Sequence, residues 1–367
     1  MAEITSIGIA VPKHCHSQKD ILAFMQEIYQ LDPIEKRKLS FLYSQSGIGQ
    51  RHSVIPDFGL PIDQWTFVPS EPAKDFPDID QRMAIYQSQA TPLCLEAIEN
   101  CLNGQCEKKS ITHLITVSCT GMSAPGLDLE IMEALQLKPT LFRTSVNFMG
   151  CYAAIHGLKL AKLICDSTPD AQVLLVCLEL CTIHLQKEYS LDNASSSLLF
   201  ADGCAAALIN NQAQTNSLTI KGFHSHVANQ GKSDMAWQIS KKGFLMRLSS
   251  YVPELIETDI KALVQDALLK NGLGNQVVSH WCIHPGGKKI IDLIQKELAL
   301  TLSDTEDARK VLNQYGNMSA PTILFVLKSI MEKGVKEKAQ VFGVAFGPGL
   351  TLETFLLENT STQMKYA

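Results

Sequence analysis

TSVNFMGCYAAIHGLKLAKLIC, residues 144–165, changes its periodicity at Gly150. Up to that glycine the run is β-rich; beyond it Ala154, Leu158, Ala161 and Ile164 recur at helical spacing. The stretch predicts a strand that turns through glycine into a helix, with Cys151 at the helix N-terminus. The same alternation holds outward along the chain. THLITVSC (112–119) and AQVLLVCLEL (171–180) read as strands in the first part, HWCIHP (280–285) and AQVFGVAF (339–346) in the second, with helical patterns between them. Strands alternating with helices mean α/β layers. A polar stretch, NNQAQTN (210–216), is the clearest seam and divides the chain into halves 1–214 and 215–367. The halves echo one another: 112–121 and 279–287 are both strand-then-glycine segments after a long helix, and AQVLLV recurs as AQVFGV. A weak internal duplication follows.

The chain has 367 residues, 46% hydrophobic and 19% charged, enough for two core units and too apolar for disorder. A net charge of -5, without a long Lys/Arg run, argues against a nucleic-acid binder. The N-terminus has no basic segment followed by an apolar run, and no stretch of about 18 apolar residues occurs, so a soluble cytoplasmic protein without membrane insertion is expected. Eleven cysteines lie mostly inside apolar runs, where free Cys behaves as a small hydrophobe, and no disulfide framework is expected. Cys101 with Cys106, and Cys177 with Cys181, lack a second pair at zinc-site spacing, so no metal is expected.

Cys151 at a glycine-led helix start would be favoured as thiolate by the helix dipole and the free N–H groups. His284 ends the strand HWCIH and faces the turn Pro285-Gly286-Gly287, at a strand end where α/β sites lie. Asn317, in YGNMSAP, precedes a helix starting near Pro321, and its amide can donate a hydrogen bond. Taken singly, each has a plainer explanation: a core cysteine, a satisfied histidine, a helix cap. Together they make a nucleophile with its base and oxyanion donors. Near the C-terminus a pair of buried strands is expected around the turn Gly347-Pro348-Gly349, where backbone can approach a ligand closely. Residues 253–269 space Leu255, Ile260, Leu263, Val264 and Leu268 on one face, a packing helix.

At GCYAAIHGLKLAK, WCIHPGGKKIID, YGNMSAP and FGPGLTLE, in order and spacing, the sequence resembles the type III polyketide synthases, the family of chalcone synthase. The resemblance spans nearly the whole chain. It implies a thiolase fold, five-layered αβαβα from two duplicated halves, a homodimer, and an acyltransferase with Cys151, His284 and Asn317 as the triad. Phe200, in LLFADG, matches the gatekeeper phenylalanine, and Ser319 and the 347–349 loop join the substrate site. The implied reaction is decarboxylative condensation of malonyl-CoA onto an acyl-CoA starter, with no further cofactor. Such a site needs no catalytic carboxylate.

Some positions depart from the plant enzymes. Met246 stands where they carry a second gatekeeper phenylalanine, Trp237 where they carry a small glycine, and His184 where they carry threonine; the last two should shrink the elongation cavity. Thr120, Ala124 and Cys181 fall where some bacterial members line a tunnel for a long acyl chain, with Ala124 in place of a methionine. A fatty acyl starter and an alkylpyrone or alkylresorcinol product are therefore expected, with small pyrones from short starters as the alternative. Of the basic residues that hold CoA phosphates only Lys38 matches, Phe41 and Gln45 occupying the other positions. Either Lys36, Arg37 or Arg51 compensates, or the starter arrives on an acyl carrier protein. An initiating ketoacyl synthase is disfavoured because HPGGKK lacks that enzyme's second asparagine; a non-catalytic thiolase-fold dimer partner is disfavoured by the intact triad. Residues 125–135, PGLDLEIMEAL, would suit an interface.

Overall fold

The computed structural model describes residues 1–71, 74–214, 216–228, 235–248, 252–273 and 278–360. The first half contributes β1 (Glu3–Ala10), β2 (His14–Ser17), α1 (Gln18–Tyr29), α2 (Pro33–Ser44), β3 (Gln50–Ser53), α3 (Ile79–Leu102), β4 (His113–Ser118), α4 (Leu127–Ala134), β5 (Phe142–Asn147), α5 (Ala153–Ser167), β6 (Gln172–Leu180), α6 (Leu191–Leu199) and β7 (Asp202–Asn210). The second contributes β8 (Leu218–Val227), β9 (Met235–Ser240), β10 (Gly243–Leu248), α7 (Val252–Lys270), β11 (His280–Ile283), α8 (Lys288–Glu297), α9 (Glu306–Tyr315), α10 (Thr322–Lys333), β12 (Gln340–Gly347) and β13 (Thr351–Glu358). The seam lies between β7 and β8; the 214/215 boundary falls at Thr215, outside the described residues.

Nine strands run in the order β11-β12-β13-β8-β1-β7-β6-β4-β5. Only Glu3–Thr219 and Ile4–Leu218 join β1 to β8, so two sheets meet at a narrow hinge of backbone. Each sheet repeats one pattern. β1/β7 and β7/β6 are antiparallel and β6/β4 parallel; β8/β13 and β13/β12 are antiparallel and β12/β11 parallel. The echoing segments of the sequence are thus structurally equivalent: β4 with β11, β6 with β12.

Burial explains the layering. Helices α5 and α10 bury Ala154, Leu158, Ala161, Ile323, Leu324, Val326 and Leu327 fully, because both touch strands of both sheets. They form the middle layer and share one core with the inner sheet faces. Helix α3 covers the outer face of the first sheet through Ala90, Cys94, Ala97 and Cys101. Helices α7 and α8 cover that of the second through Ile256, Ile260, Leu263, Val264, Ile291 and Ile294; Leu268 packs at the margin, and Leu255 is outside the described side chains. The result is the five-layered αβαβα thiolase fold.

Candidate active site

Two loops from each half reach the middle layer. The loop after β4 carries Cys119 and Thr120, and the approach to α5 carries Cys151; in the second half the loop after β11 carries His284, and the approach to α10 carries Asn317 and Ser319. Cys151 lies in the turn before α5, whose first residue is Ala153. Gly150 adopts φ +83°, and a Cβ there would sit 2.4 Å from Pro348 Cδ. Likewise a Cβ on Gly347 would lie 2.5 Å from the Tyr152 ring. The 347–349 turn, between β12 and β13, therefore packs directly on the cysteine turn, as the close backbone approach expected from glycine.

Cys151 is buried against Cys181 and Phe200, with Leu199 and Met246 at its margin. Burial pushes its thiol up to about 11, and the neighbouring Glu179 charge adds to this, against hydrogen bonds from Ser319 and Asn317 that favour the thiolate. The helix start favours a thiolate, and desolvation opposes it. His284 is 1% exposed, and neither ring nitrogen has a hydrogen-bond partner among the described residues. Burial alone lowers its pKa to about 3, so the ring is neutral and offers one N–H and one lone pair. Its main-chain N–H donates to Val344 C=O at 2.9 Å, which extends β11 to the histidine. Asn317 is fixed by its main chain: its N–H donates to Leu199 C=O and its C=O accepts from Ala201 N–H, both at 2.9 Å. Its side-chain Oδ1 accepts from Ser319 N–H at 2.8 Å, while Nδ2 makes a long 3.4 Å contact to Gly286 C=O, two residues past His284, beside its bond to the Cys151 sulfur.

The wall opposite is aromatic. His184 stacks on Phe244 with ring centres 4.2 Å apart, and Trp237 meets both edge-on. Phe244 N–H donates to His184 Nδ1 at 3.0 Å, so Nε2 carries the proton and donates to Thr120 C=O at 2.8 Å. Trp237 Nε1 donates to Cys119 C=O at 2.8 Å. A cavity lies between this wall and α6, lined by Cys181, His184, Phe200, Trp237 and Met246 among others. Five of the expected substrate residues are thus brought together, and the two large rings fill space as expected.

Others are placed differently. Thr120 is buried, and its hydroxyl is committed: it donates to Glu179 Oε2 at 2.7 Å and accepts from Leu180 N–H at 2.9 Å. Ala124 is exposed in the loop before α4 and does not line this cavity. Lys38 is exposed and paired with Glu35 at 2.7 Å. Arg51, a candidate to replace missing surface charge, is buried. Glu179 was not legible from the sequence, where it sits inside the apolar run VLLVCLEL. It is fully buried, and burial raises its pKa to about 7 despite bonds from Cys119 N–H and the Thr120 hydroxyl. The sequence reading asks for no catalytic carboxylate and does not foresee this one, whose charge bears on Cys151. The residues 249–251 of GFLMRLSSYVP lie outside the described residues.

Cys151 with Ser319 and Asn317 beside it, and His284 at the end of β11, lie on the loops that converge between two thiolase-type halves. Residues 1–213 match the model of the N-terminal domain, and residues 223–361 that of the C-terminal domain, of the chalcone and stilbene synthases. The chain belongs to that family and is a type III polyketide synthase, an acyltransferase. It is 28% identical to the α-pyrone synthesis polyketide synthase-like Pks18 of Mycobacterium tuberculosis, over 98% of this chain and 91% of that one. It is 30% identical to a putative chalcone synthase of Bacillus subtilis, over 97% of this chain and 98% of that one. The crystal structure of PKS-I from the brown alga Ectocarpus siliculosus superposes with a TM-score of 0.89 at 29% identity, covering 98% of each chain. Among the described residues no helix is long and apolar enough to cross a membrane, and all eleven cysteines are free.

Proposed function

We propose that Cys151, His284 and Asn317 carry iterative condensation of malonyl-CoA onto a fatty acyl-CoA starter, ending in cyclisation to an alkylpyrone or alkylresorcinol. The Cys151 sulfur attacks the starter thioester, its proton passing to neutral His284, and CoA leaves as thiol with that proton. Malonyl-CoA then loses carbon dioxide; His284 N–H and Asn317 Nδ2 donate to the oxygen of the enolate that forms. The enolate carbon attacks the acyl-Cys carbonyl, expelling the Cys151 thiolate and leaving the lengthened chain on CoA. The observation that carries this reading is His284, buried and without a ring partner among the described residues, together with Asn317, whose amide makes a long contact to Gly286 C=O and a bond to the Cys151 sulfur. Each positioned donor is worth roughly 3–4 kcal/mol in the transition state.

The fatty starter is supported by Cys181, a small side chain between Cys151 and the cavity, and by the aromatic wall, which limits elongation. Each buried CH₂ would add about 0.8 kcal/mol. Short starters are the second reading, favoured by the committed Thr120 hydroxyl and the exposed Ala124. A homodimer is proposed through β5, an edge strand with Phe142 71% exposed, flanked by Ala124 and α4; an unpaired edge of this kind invites a second copy. Cytoplasmic thiol-reducing conditions suit the free cysteines. Lys38 and its neighbours Lys36 and Arg37 would meet CoA phosphates, with delivery by acyl carrier protein as the alternative. No cofactor beyond the two CoA substrates is proposed.

The test is product analysis by mass spectrometry for wild type and Cys151→Ala given malonyl-CoA and acyl-CoAs from acetyl to palmitoyl. Long-starter pyrones or resorcinols, absent in the variant, support the reading; products from short starters alone remove the tunnel, and no product from any starter removes the whole proposal.

A further inference from the structure

We infer that Arg51, with Gln18, is a positioning residue of the condensation step, fixing the main chain of the gatekeeper Phe200 and, through it, the register of Asn317. The inference rests on the triad reading above. Arg51 lies on β3 and is 3% exposed. Its Nε donates to Gln18 Oε1 at 3.0 Å, and its Nη1 donates to Phe200 C=O. Gln18 Nε2 in turn donates to Leu198 C=O at 2.9 Å. Two carbonyls of the segment 198–200 are therefore held from one side by a linked arginine–glutamine pair. From the other side Asn317 holds the same segment, accepting from Ala201 and donating to Leu199, in a parallel bridge between Phe200 and Asn317.

Packing closes the arrangement. A Cβ on Gly316, at φ +70°, would lie 2.8 Å from Arg51 Cγ and Cδ and 3.0 Å from Leu199 O, so the arginine stem lies flat on the backbone entering Asn317. One side chain thus touches the residue before the amide donor and bonds the carbonyl of the gatekeeper. Tyr43 and, from beyond ion-pair distance, Asp202 favour its charge, Asp202 being itself held by the N–H groups of Val54 and Thr182 at 2.8 Å, while Nη2 has no hydrogen-bond partner among the described residues. Burying a guanidinium costs several kcal/mol unless it is paired and bonded; the fork geometry that meets Gln18 and Phe200 together is one that a lysine ammonium cannot copy.

Arg51→Lys keeps the charge and loses the fork, whereas Gln18→Leu leaves Arg51 and loses the link. For wild type and both variants, acylation of Cys151 by acyl-CoA alone is followed by intact mass, and condensation by kcat, KM for malonyl-CoA and product length, with Tm alongside. Acylation uses the Asn317 amide only through its bond to the Cys151 sulfur, one of two such bonds, whereas condensation also needs it on the enolate, so acylation should stay within about threefold of wild type. Condensation kcat should fall about 10- to 100-fold, as sub-ångström misplacement does, with shorter products and little change in KM, more in Arg51→Lys than in Gln18→Leu. A proportional loss of acylation and condensation, or no loss of either, overturns the inference. Absence of acylation in wild type would instead sink the triad reading. Should Arg51→Lys fail to fold, Gln18→Leu decides alone by the same ratio.

Discussion

The two halves deliver the same two loops to the site but equip them in opposite ways. In the first half, Cys119 N–H and the Thr120 hydroxyl both donate to Glu179 Oε2, its Oε1 having no partner among the described residues, and Gly150 N–H donates to Cys119 Sγ at 3.0 Å. In the second, His284 stands at the position equivalent to Cys119 and Thr120 without a ring partner among the described residues, and Asn317, opposite Cys151 in the pseudo-symmetry, has its amide on the Cys151 sulfur and at a long distance from Gly286 C=O. Duplication explains why four loops converge; divergence explains the division of labour. On the proposed reading, the crowded half frames the nucleophile and the other half supplies donors for the substrate. A buried polar group without a partner costs about 1–3 kcal/mol, which is stability surrendered where the ligand must bind.

That contrast can be broken most severely at its centre. Cys151→Ala should lower product formation at least about 10³-fold, because no other group can hold the acyl chain, checked by product assay with Tm unchanged within a few degrees. His284→Leu should lower condensation about 10²- to 10³-fold by removing a donor and a base, yet Tm should hold or rise, since an unpaired buried ring is replaced by an apolar group. A fall in Tm would mean that His284 has a structural partner after all.

Smaller effects sharpen the first half. Burial raises the Glu179 carboxyl to about 7 from its ordinary 4.5, so the native state binds this proton more tightly than the unfolded chain. The stability this gives is complete below pH 4.5 and lost as pH climbs to about 7, of the order of 3 kcal/mol. Glu179→Gln should therefore show a Tm that falls less between pH 5 and pH 7.5 than that of wild type. The same variant should speed iodoacetamide modification of Cys151 at about pH 8, because the Glu179 charge opposes the thiolate. Gly150→Ala should destabilise by about 1–3 kcal/mol in denaturant titration, as its Cβ would strike Pro348 at a positive φ.

Much of this was legible in the residues. The change of period at Gly150, the recurrence of AQVLLV as AQVFGV and the strand end at His284 are local signals, and each survives folding because it is set by spacing. What sequence spacing does not carry is desolvation and long-range pairing. Glu179 reads as a polar interruption of a buried strand until β4 is placed beside β6. Arg51 reads as a surface cation until β3 is folded against Phe200. The small residues Thr120, Ala124 and Cys181 form one group by resemblance, but the backbone sends Ala124 to the surface and leaves only Cys181 on the cavity. The thiol itself illustrates the limit: helix position argues for charge and burial argues against it, and only the structure shows which is larger.

The most direct test of the account is peptide mapping after brief incubation with an acyl-CoA and no malonyl-CoA. One acyl group on Cys151 is predicted in wild type and in Asn317→Ala, and none in Cys151→Ala. An acyl group on Cys119 or Cys181, or persistence of the adduct in Cys151→Ala, would contradict it.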